Sequence, residues 1–250
     1  MVQLKISKSQ VRQFSHIVEK YKAKSRFPKP NYWKELDNTE LWLRMVGQVM
    51  VVGSSAGEGR FMDRPDLKKM VSYNALGKMS NQERGETINF VLREAGVRYA
   101  SIDIEKCNKT CALIHNYKFI SSFKGGFKGL MQYLSEFKGE NAEMDRVNYL
   151  MKHLKYVKNK SARDFLMGLG INRNTLALDI RIQNIFNHMG VEFPSQDDLG
   201  RKSIYIPTER TIIQKVCEPL AIEPMKFDRI LYQNYDEITG KYQKRKRNCM

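Results

Sequence analysis

The residues best suited to chemistry are lysines in a short predicted turn. Lys155, Lys158 and Lys160 follow a helix that should end near Leu154, and a second helix should begin near Lys160. The positive end of a helix dipole and the neighbouring lysines both disfavour an ammonium ion at residue 160, and partial burial acts in the same direction. These effects favour a neutral amine, the form in which lysine is a nucleophile. The alternative is that all three lysines only bind phosphate groups.

A carboxylate follows further along the same stretch. Asp179 comes 19 residues after Lys160 and directly precedes an apolar-periodic run that begins at Ile180. Aspartate is favoured at this position as the N-terminal cap of a helix, which is its purely structural interpretation. A cap carboxylate can also stabilise a developing positive charge or orient a water molecule. The two roles are compatible, so Lys160 and Asp179 are our candidate catalytic pair.

The predicted turn between the two helices is also suited to binding phosphate. Asn159 is placed to cap the helix that starts at Lys160. A helix–turn–helix with this spacing directs backbone N–H groups toward a phosphate, and Lys155 and Lys158 crowd the same turn. We therefore expect Lys155, Lys158 and Asn159 to contact nucleic acid.

The charge of the whole chain agrees with a polyanionic partner. The 250 residues include 43 Lys and Arg but only 27 Asp and Glu, which gives a formal net charge of +16. An excess of this size favours nucleic acid, the commonest polyanion, although a basic surface without a partner is the simpler alternative. The basic run at 241–247 either binds phosphates or is only a solvated end.

Other classes of protein have little support in the sequence. Apolar stretches such as Val49–Val52 are too short to span a bilayer, and Met1–Gln10 lacks the apolar core of a signal peptide. No zinc pattern or iron–sulfur loop is visible, so we expect no metal and no cofactor. The four cysteines form no disulfide framework and suggest a cytoplasmic, nucleoid-associated protein with reduced thiols: Cys107, Cys111, Cys217 and Cys249.

Hydrophobic periodicity predicts a helical chain. Helices are expected near residues 8–24, 38–52, 65–78, 81–95, 104–117, 119–137, 141–154, 160–168, 180–189, 207–219 and 224–238. Strand signals are few: Ser203–Ile206 is the best candidate, Arg98–Ile102 is a second, and neither supports a sheet. The sequence therefore predicts an all-α fold.

Particular residues set some of these boundaries. Ser80 followed by Glu83 has the spacing of a capping box, and Pro207 should open the helix near 207–219. Gly53–Gly59 is rich in glycine but lacks the Gly-Lys-Ser/Thr of a nucleotide-binding loop. We interpret Lys124–Gly129 as a flexible turn rather than a phosphate cradle.

Two segments together resemble a known superfamily. The order Leu-x-x-Val-x-x-Lys-x-Ala at 154–162, followed by Asp179, resembles the helix–hairpin–helix (HhH-GPD) DNA glycosylases. Within them, Lys-Ser-Ala-x-x-Phe-Leu at 160–166 with Leu-Ala-Leu-Asp at 176–179 is especially similar to archaeal-type 8-oxoguanine DNA glycosylase/lyases. Upstream, the segment at 40–55 resembles the early helix of that family, which ends in a polar turn facing the base pocket.

The chain departs from this family pattern at the hairpin. Where the family usually reads Gly-Val-Gly, this chain has Tyr156, Val157 and Lys158, and losing glycine makes a tight backbone approach to phosphate harder. Lysine side chains can substitute for that approach. A histidine often follows two residues after the aspartate; here the residue is Arg181, which we also expect to contact DNA.

The resemblance implies an enzyme of base-excision repair that acts on double-stranded DNA as a monomer. The target nucleotide is extruded, Lys160 attacks its C1′ atom as an oxidised base leaves, and a Schiff base then permits lyase cleavage. Asp179 stabilises the positive sugar, and 8-oxoguanine is the first candidate base. The alternatives are a monofunctional glycosylase for another damaged or mismatched base, in which Asp179 activates water, and a non-catalytic helix–hairpin–helix binding protein.

The resemblance also implies a two-lobed layout with the catalytic pair across a cleft. Residues 1–62 and 176–250 should form one lobe, and residues 63–175 should form the other with the hairpin. Candidate base-pocket residues have simpler alternative roles in the core, in turns or in ion pairs: Trp42, Gln48, Ser54, Ser55, Asp228 and Tyr232.

Overall fold

The computed structural model describes residues 4–240, and all regular structure in that range is helical, which confirms the all-α prediction. Short 3-10 turns cover Lys22–Lys24 and Tyr32–Glu35, and a π-helical turn covers Ile213–Cys217. The α-helices of these residues are α1 (Lys8–Tyr21), α2 (Asn38–Met50), α3 (Ala56–Met62), α4 (Pro65–Met70), α5 (Tyr73–Gly77), α6 (Asn81–Glu94), α7 (Asn108–Ser121), α8 (Phe127–Ser135), α9 (Ala142–His153), α10 (Asn159–Gly168), α11 (Ile180–His188), α12 (Gln196–Leu199), α13 (Lys202–Ile212), α14 (Pro224–Gln233) and α15 (Tyr235–Ile238). The basic run at 241–247 and Cys249 lie outside the described residues.

Reciprocal caps explain why several helices begin where they do. Before α6, the Ser80 side chain accepts from the Glu83 backbone N–H while the Glu83 carboxylate accepts from the Ser80 N–H, which confirms the predicted capping box. Asp37 and Glu40 make the same pair of bonds at the start of α2. These local bonds satisfy amide groups that the first turn of a helix leaves unpaired.

Neither predicted strand exists in the structure. Ser203–Ile206 lies within α13, and Arg98–Ile102 is irregular. Pro207 was also assigned wrongly, because it lies inside α13 instead of opening a helix. The buried residues of α13 recur at the i, i+3, i+4, i+7 spacing of one helix face, and this burial outweighs the local β-propensity: Tyr205, Thr208, Glu209 and Ile212.

Breaks between helices account for two further boundary errors. The single helix predicted near 65–78 is two, because Ser72 caps a new start at α5 by accepting from the Ala75 N–H. The helix predicted near 119–137 begins only at α8, since Gly125 and Gly126 before it have positive φ angles of 89° and 66°. Helix α3, within the Gly-rich segment, was not predicted.

Contacts within the chain divide it into two compact units, which we call the N/C unit and the central unit. The N/C unit comprises Met1–Lys29 and Leu166–Met250, and the central unit comprises Pro30–Phe165. The layout predicted from the sequence has its boundaries at 62/63 and 175/176 instead. The difference at the first boundary arises because α2 packs against α5, α7 and α8, all within the central unit.

In the N/C unit, α1, α11 and α14 meet around phenylalanine rings. The Phe14 ring centroid lies 4.6 Å from that of Phe186 and 5.6 Å from that of Phe227. Edge or tilted contacts of this kind add to the gain from burying the rings. This core supports the start of α11, where Asp179 lies.

In the central unit, the core is built around α2. Trp42 is fully buried, its indole N–H donates to the Val71 carbonyl oxygen at 2.9 Å, and its ring meets Tyr117 edge-on. Among residues 4–240, no helix is long and apolar enough to cross a membrane.

Candidate active site

A helix–turn–helix in the central unit carries Lys160. Helix α9 ends at His153, and α10 begins at Asn159 after a five-residue turn. The buried side chain of Asn116, on α7, holds this turn by donating to the Lys155 carbonyl oxygen at 3.0 Å and accepting from the Lys155 N–H at 2.7 Å. The sequence gives no local signal for Asn116, because its partner lies 39 residues away.

Tyr156 occupies the middle of this turn in a left-handed conformation, with φ of 60°. This is the first position at which the resembling hairpins have glycine. The backbone therefore keeps the conformation that glycine favours, although the residue has a Cβ atom that costs about 1 kcal/mol there.

The predicted cap of α10 is wrong. Asn159 is the first residue of the helix, and the Ser161 hydroxyl accepts from the Lys158 N–H at 2.8 Å. The Asn159 side chain is only 5% exposed and accepts from the Arg163 guanidinium, so its position gives no support to a contact with DNA. Lys155 and Lys158 are both exposed, as phosphate-binding side chains must be.

Lys160 forms an ion pair within its own helix. Its Nζ lies 3.2 Å from Oδ2 of Asp164, with the lysine side chain 32% exposed and the aspartate side chain 17% exposed. The Gln48 amide, on α2, donates to the same Oδ2 at 3.0 Å. Gln48 was predicted to bind the base, but in the structure its Nε2 is bonded to Asp164. Asp164 itself was not among the predicted site residues. The i, i+4 spacing of Lys160 and Asp164 is the signal that could have found it.

A second carboxylate lies beside this pair. Burial raises the pKa of Glu58, on α3, and the negative charges of Asp164 and Asp63 raise it further. The cluster of Lys160, Asp164, Gln48 and Glu58, which we call the Lys160 cluster, therefore contains two carboxyl groups whose charges act on each other, one of them paired with the amine. Repulsion between the carboxylates makes this region favourable for taking up a proton.

A buried lysine fixes the end of the helix that carries Gln48. Lys109, 1% exposed, donates to the carbonyl oxygens of Met50 at 3.1 Å and Val52 at 2.7 Å. Burial lowers its pKa. A cation at a helix C-terminus is favoured by the helix dipole, so Lys109 acts here as a cap supplied by another helix.

Three other predicted base-pocket residues lie at or beyond α2. Trp42 is a core residue with no exposed ring face, so its position gives no support to base stacking. The Ser54 hydroxyl accepts from the Ala56 N–H at 3.3 Å, which is the turn role given as its alternative. Ser55 is exposed at the start of α3 and makes no side-chain cap bond.

In the N/C unit, Asp179 is the N-cap of α11, as predicted. Its Oδ1 accepts from the N–H groups of Arg181 at 2.9 Å and Ile182 at 3.1 Å. Its Oδ2 makes no hydrogen bond within residues 4–240. The carboxylate is therefore fixed through one oxygen while the other stays available to a ligand.

Three buried side chains fix the loop that leads to Asp179. Each accepts from a different backbone N–H at 2.8 Å: Glu209 from Leu176, Asp228 from Ala177 and Tyr205 from Leu178. The Tyr205 hydroxyl also donates to the Leu176 carbonyl oxygen at 2.8 Å. Asp228 was predicted to bind the base, but it is 2% exposed and one carboxylate oxygen holds this loop.

Arg181 and Tyr232 lie together near the same cap. The Arg181 guanidinium carbon is 4.3 Å from the centroid of the Tyr232 ring, a cation–π contact. Tyr232 keeps 37% of its surface exposed, so its ring is accessible to a stacking partner. Among the described residues, no group of three or more His, Cys, Asp or Glu side chains is arranged to hold a metal ion.

Sequence comparisons find no relative. No protein-family model matches the chain, and no curated protein matches it either.

Comparison of structures gives a clear result. The 8-oxoguanine DNA glycosylase of Methanocaldococcus jannaschii matches with a TM-score of 0.63 at 13% identity, covering 90% of this chain and 92% of that one. The 8-oxoguanine DNA glycosylase of Thermotoga maritima matches with a TM-score of 0.61 at 20% identity, covering 90% and 94%. The M. jannaschii glycosylase/lyase bound to a 15mer DNA containing 8-oxoguanine matches with a TM-score of 0.58 at 13% identity, covering 93% and 96%. The chain has the fold of these enzymes.

Proposed function

We propose that this protein is a base-excision-repair DNA glycosylase with lyase activity, which removes an oxidised base from duplex DNA. The observation that carries the proposal is the match over about 90% of the chain to 8-oxoguanine DNA glycosylases, one of them bound to DNA that contains 8-oxoguanine. Fold alone does not assign an activity, so the chemistry must come from the site. Lys160 after the hairpin and Asp179 at the cap of α11 supply it.

The proposed reaction uses Lys160 as the nucleophile. Its neutral amine bonds to C1′ of the extruded nucleotide as the bond between C1′ and the base breaks. Asp179, through its available Oδ2, stabilises the positive charge that develops on the sugar. The covalent intermediate becomes a Schiff base, from which the 3′ phosphate is eliminated.

The proposed substrate is double-stranded DNA with 8-oxoguanine as the first candidate lesion. The formal charge of +16 and the exposed Lys155 and Lys158 favour binding to the phosphate backbone, and Arg181 adds a cation near Asp179. We propose that the protein works as a monomer in the cytoplasm, where it associates with the nucleoid. Tyr232, Ser54 and Ser55 remain proposed contacts to the extruded base.

One observation favours a second candidate function. The ion pair with Asp164 stabilises the ammonium form of Lys160, which is not a nucleophile. In a monofunctional glycosylase, Asp179 would activate water and Lys160 would only bind DNA. The two functions differ in whether a covalent intermediate forms.

The test is a panel of lesion duplexes, with 8-oxoguanine opposite cytosine first, combined with borohydride trapping. We expect the wild-type protein to release the base, nick the strand and become covalently trapped. Lys160→Gln should abolish trapping, whereas Lys118→Gln, which removes a lysine exposed on α7, should not. Trapping that persists in Lys160→Gln contradicts the assigned nucleophile. Base release without trapping supports the monofunctional enzyme, and salt-dependent binding without base release supports a binding protein.

A further inference from the structure

We propose that Asp164 is the group that accepts the proton which Lys160 must lose before it attacks the sugar. The inference rests on the proposed function, because it concerns how that reaction starts. It assigns to the enzyme a third functional residue, beside Lys160 and Asp179, and it separates removal of the proton from stabilisation of the sugar.

The first support is geometry within the central unit. Oδ2 of Asp164 lies 3.2 Å from Nζ of Lys160, one turn further along α10, so a proton can pass between them without movement of the backbone. Both side chains are partly buried, which reduces the screening of their interaction by water. Such a pair holds the resting ammonium and also gives its proton a carboxylate to move to directly.

The second support is the way Gln48 is bonded. Its Nε2 donates to Oδ2 of Asp164 at 3.0 Å, while its Oε1 is buried with no hydrogen-bond partner in the described part of the chain. Leaving a buried acceptor unpaired costs about 1–3 kcal/mol. The Gln48 amide is thus held in the orientation that fixes the Asp164 carboxylate toward Lys160, although this orientation leaves its own Oε1 without a hydrogen bond.

The third support is the charge around Asp164. Lys160, on the same helix, forms an ion pair with Asp164, the charge of Asp164 acts on Glu58 of α3, and Asp63 at the end of α3 acts on Glu58 in turn. Once the ammonium of Lys160 has lost its proton, its positive charge no longer offsets the charges of these two neighbouring carboxyl groups. Their repulsion favours the state in which one of them holds a proton.

Asp179 is less suited to this step. Its Oδ1 is bonded to two backbone N–H groups of α11, whereas Asp164 is already in contact with the amine. The proposed reaction therefore uses one carboxylate for the proton and another for the sugar cation.

The step conserves atoms and charge. The ammonium of Lys160 gives a proton to Oδ2 of Asp164, which leaves a neutral amine and a neutral carboxylic acid. The amine lone pair then forms a bond to C1′, and the electron pair of the bond between C1′ and the base leaves with the base. The departing base takes up one proton, which restores Asp164 to its ionised form when it comes from that acid.

The decisive experiment is Asp164→Asn, because the two possible roles of Asp164 predict opposite results. If Asp164 accepts the proton, single-turnover base release and borohydride trapping on an 8-oxoguanine duplex should fall on the order of 10²-fold at neutral pH. The wild-type rate should also fall at acidic pH as Asp164 is protonated, and that limb of the profile should change in the variant. If Asp164 only holds the ammonium, its removal favours the neutral amine, and the rate should be unchanged or rise.

Control variants separate this effect from misfolding. Asp145→Asn removes the same charge at an exposed position of α9, and its rate and pH profile should match the wild type. Asp164→Glu keeps a carboxyl group and should recover part of the lost rate. A rate for Asp164→Asn equal to or above that of the wild type overturns the inference, as does a loss that Asp164→Glu shares in full while thermal unfolding stays normal.

A further measurement works even without activity. Competitive acetylation followed by mass spectrometry reports the pH at which Lys160 becomes reactive, and Asp164→Asn should lower that pH because the counter-ion is lost. An unchanged profile would show that the two groups are not coupled and would refute the inference. If the wild-type protein releases no base from any duplex, the proposed function fails, while the acetylation result still reports on the pair.

Discussion

The turn before Lys160 and the loop before Asp179 are fixed in different ways. The loop has three consecutive backbone N–H groups, from Leu176 to Leu178, each bonded to a buried side chain at 2.8 Å. In the turn, Asn116 bonds to the backbone of Lys155 and Ser161 accepts from the Lys158 N–H, while between them lie a left-handed tyrosine and Val157. The bonds in the loop fix the backbone that leads to Asp179. The long side chain of Lys160, which follows the turn, is positioned by its ion pair with Asp164.

This difference fits the chemistry proposed for each residue. A carboxylate that stabilises a developing charge works best when it does not move during the reaction. An amine that forms and later breaks a bond must move, and the four-carbon stem of lysine permits that. Variants that disturb either arrangement should therefore affect activity and stability in different proportions.

The largest effect should come from Asp179, where the cap and the charge can be separated. Asp179→Asn keeps a good cap but loses the charge, so excision should fall on the order of 10²–10³-fold with the free energy of unfolding changed by only a few tenths of a kcal/mol. Asp179→Ala should lose as much activity and, in addition, about 1 kcal/mol of stability. Single-turnover kinetics and urea unfolding measure the two quantities. Normal excision by Asp179→Asn would show that the residue is only a cap.

The next largest effect is expected in the loop before Asp179. Asp228→Ala leaves the Ala177 N–H buried without its acceptor and should lower the free energy of unfolding by about 2–3 kcal/mol. Asp197→Ala, at an exposed position of α12, should change it by less than about 0.5 kcal/mol. Urea denaturation measures both. Equal values for the two variants would mean that the loop does not depend on this carboxylate.

A smaller effect of opposite sign is expected at the turn. Tyr156→Gly removes the Cβ atom from a left-handed position and should raise the free energy of unfolding by about 0.5–1 kcal/mol. Lys155→Gly, in the same turn but without a positive φ, should lower it by a similar amount. Thermal unfolding of both proteins gives the comparison, and destabilisation by Tyr156→Gly would show that the tyrosine side chain outweighs the backbone strain.

The smallest effect concerns Glu58 and depends on pH. The pKa of Glu58 is raised in the folded state. Its favourable contribution to the free energy of unfolding is therefore complete below the ordinary pKa of 4.5 and is lost as pH rises through the pKa of the folded state. Glu58→Gln should therefore stabilise the protein at pH 7, by less than about 1 kcal/mol because the side chain is partly solvated. The gain should vanish near pH 4. Urea unfolding at both pH values tests this, with Glu140→Gln as an exposed control; a gain that is equal at both pH values would contradict it.

The sequence predicted what depends on near neighbours. The cap at Asp179 and the capping box at Ser80 are made by bonds across two or three residues, so their patterns are visible locally. The bond from Gln48 to Asp164 joins residues 116 apart, so no local pattern indicates it, whereas the i, i+4 pair of Lys160 and Asp164 is visible locally and was not recognised. Ser203–Ile206 has the composition of a strand, yet burial of one face of α13 makes it helical.

The buried ammonium of Lys109 has a consequence for the segment that follows α2. It ties down the chain at Val52, and at the other end Gly57 packs so closely on Val97 that a Cβ atom there would lie 2.8 Å from the Val97 Cα. Only the short segment 53–56 lies between these two fixed positions. Sequence changes that lengthen this segment should be accommodated outward, into solvent, whereas a side chain larger than hydrogen at residue 57 would push α3 away from its support.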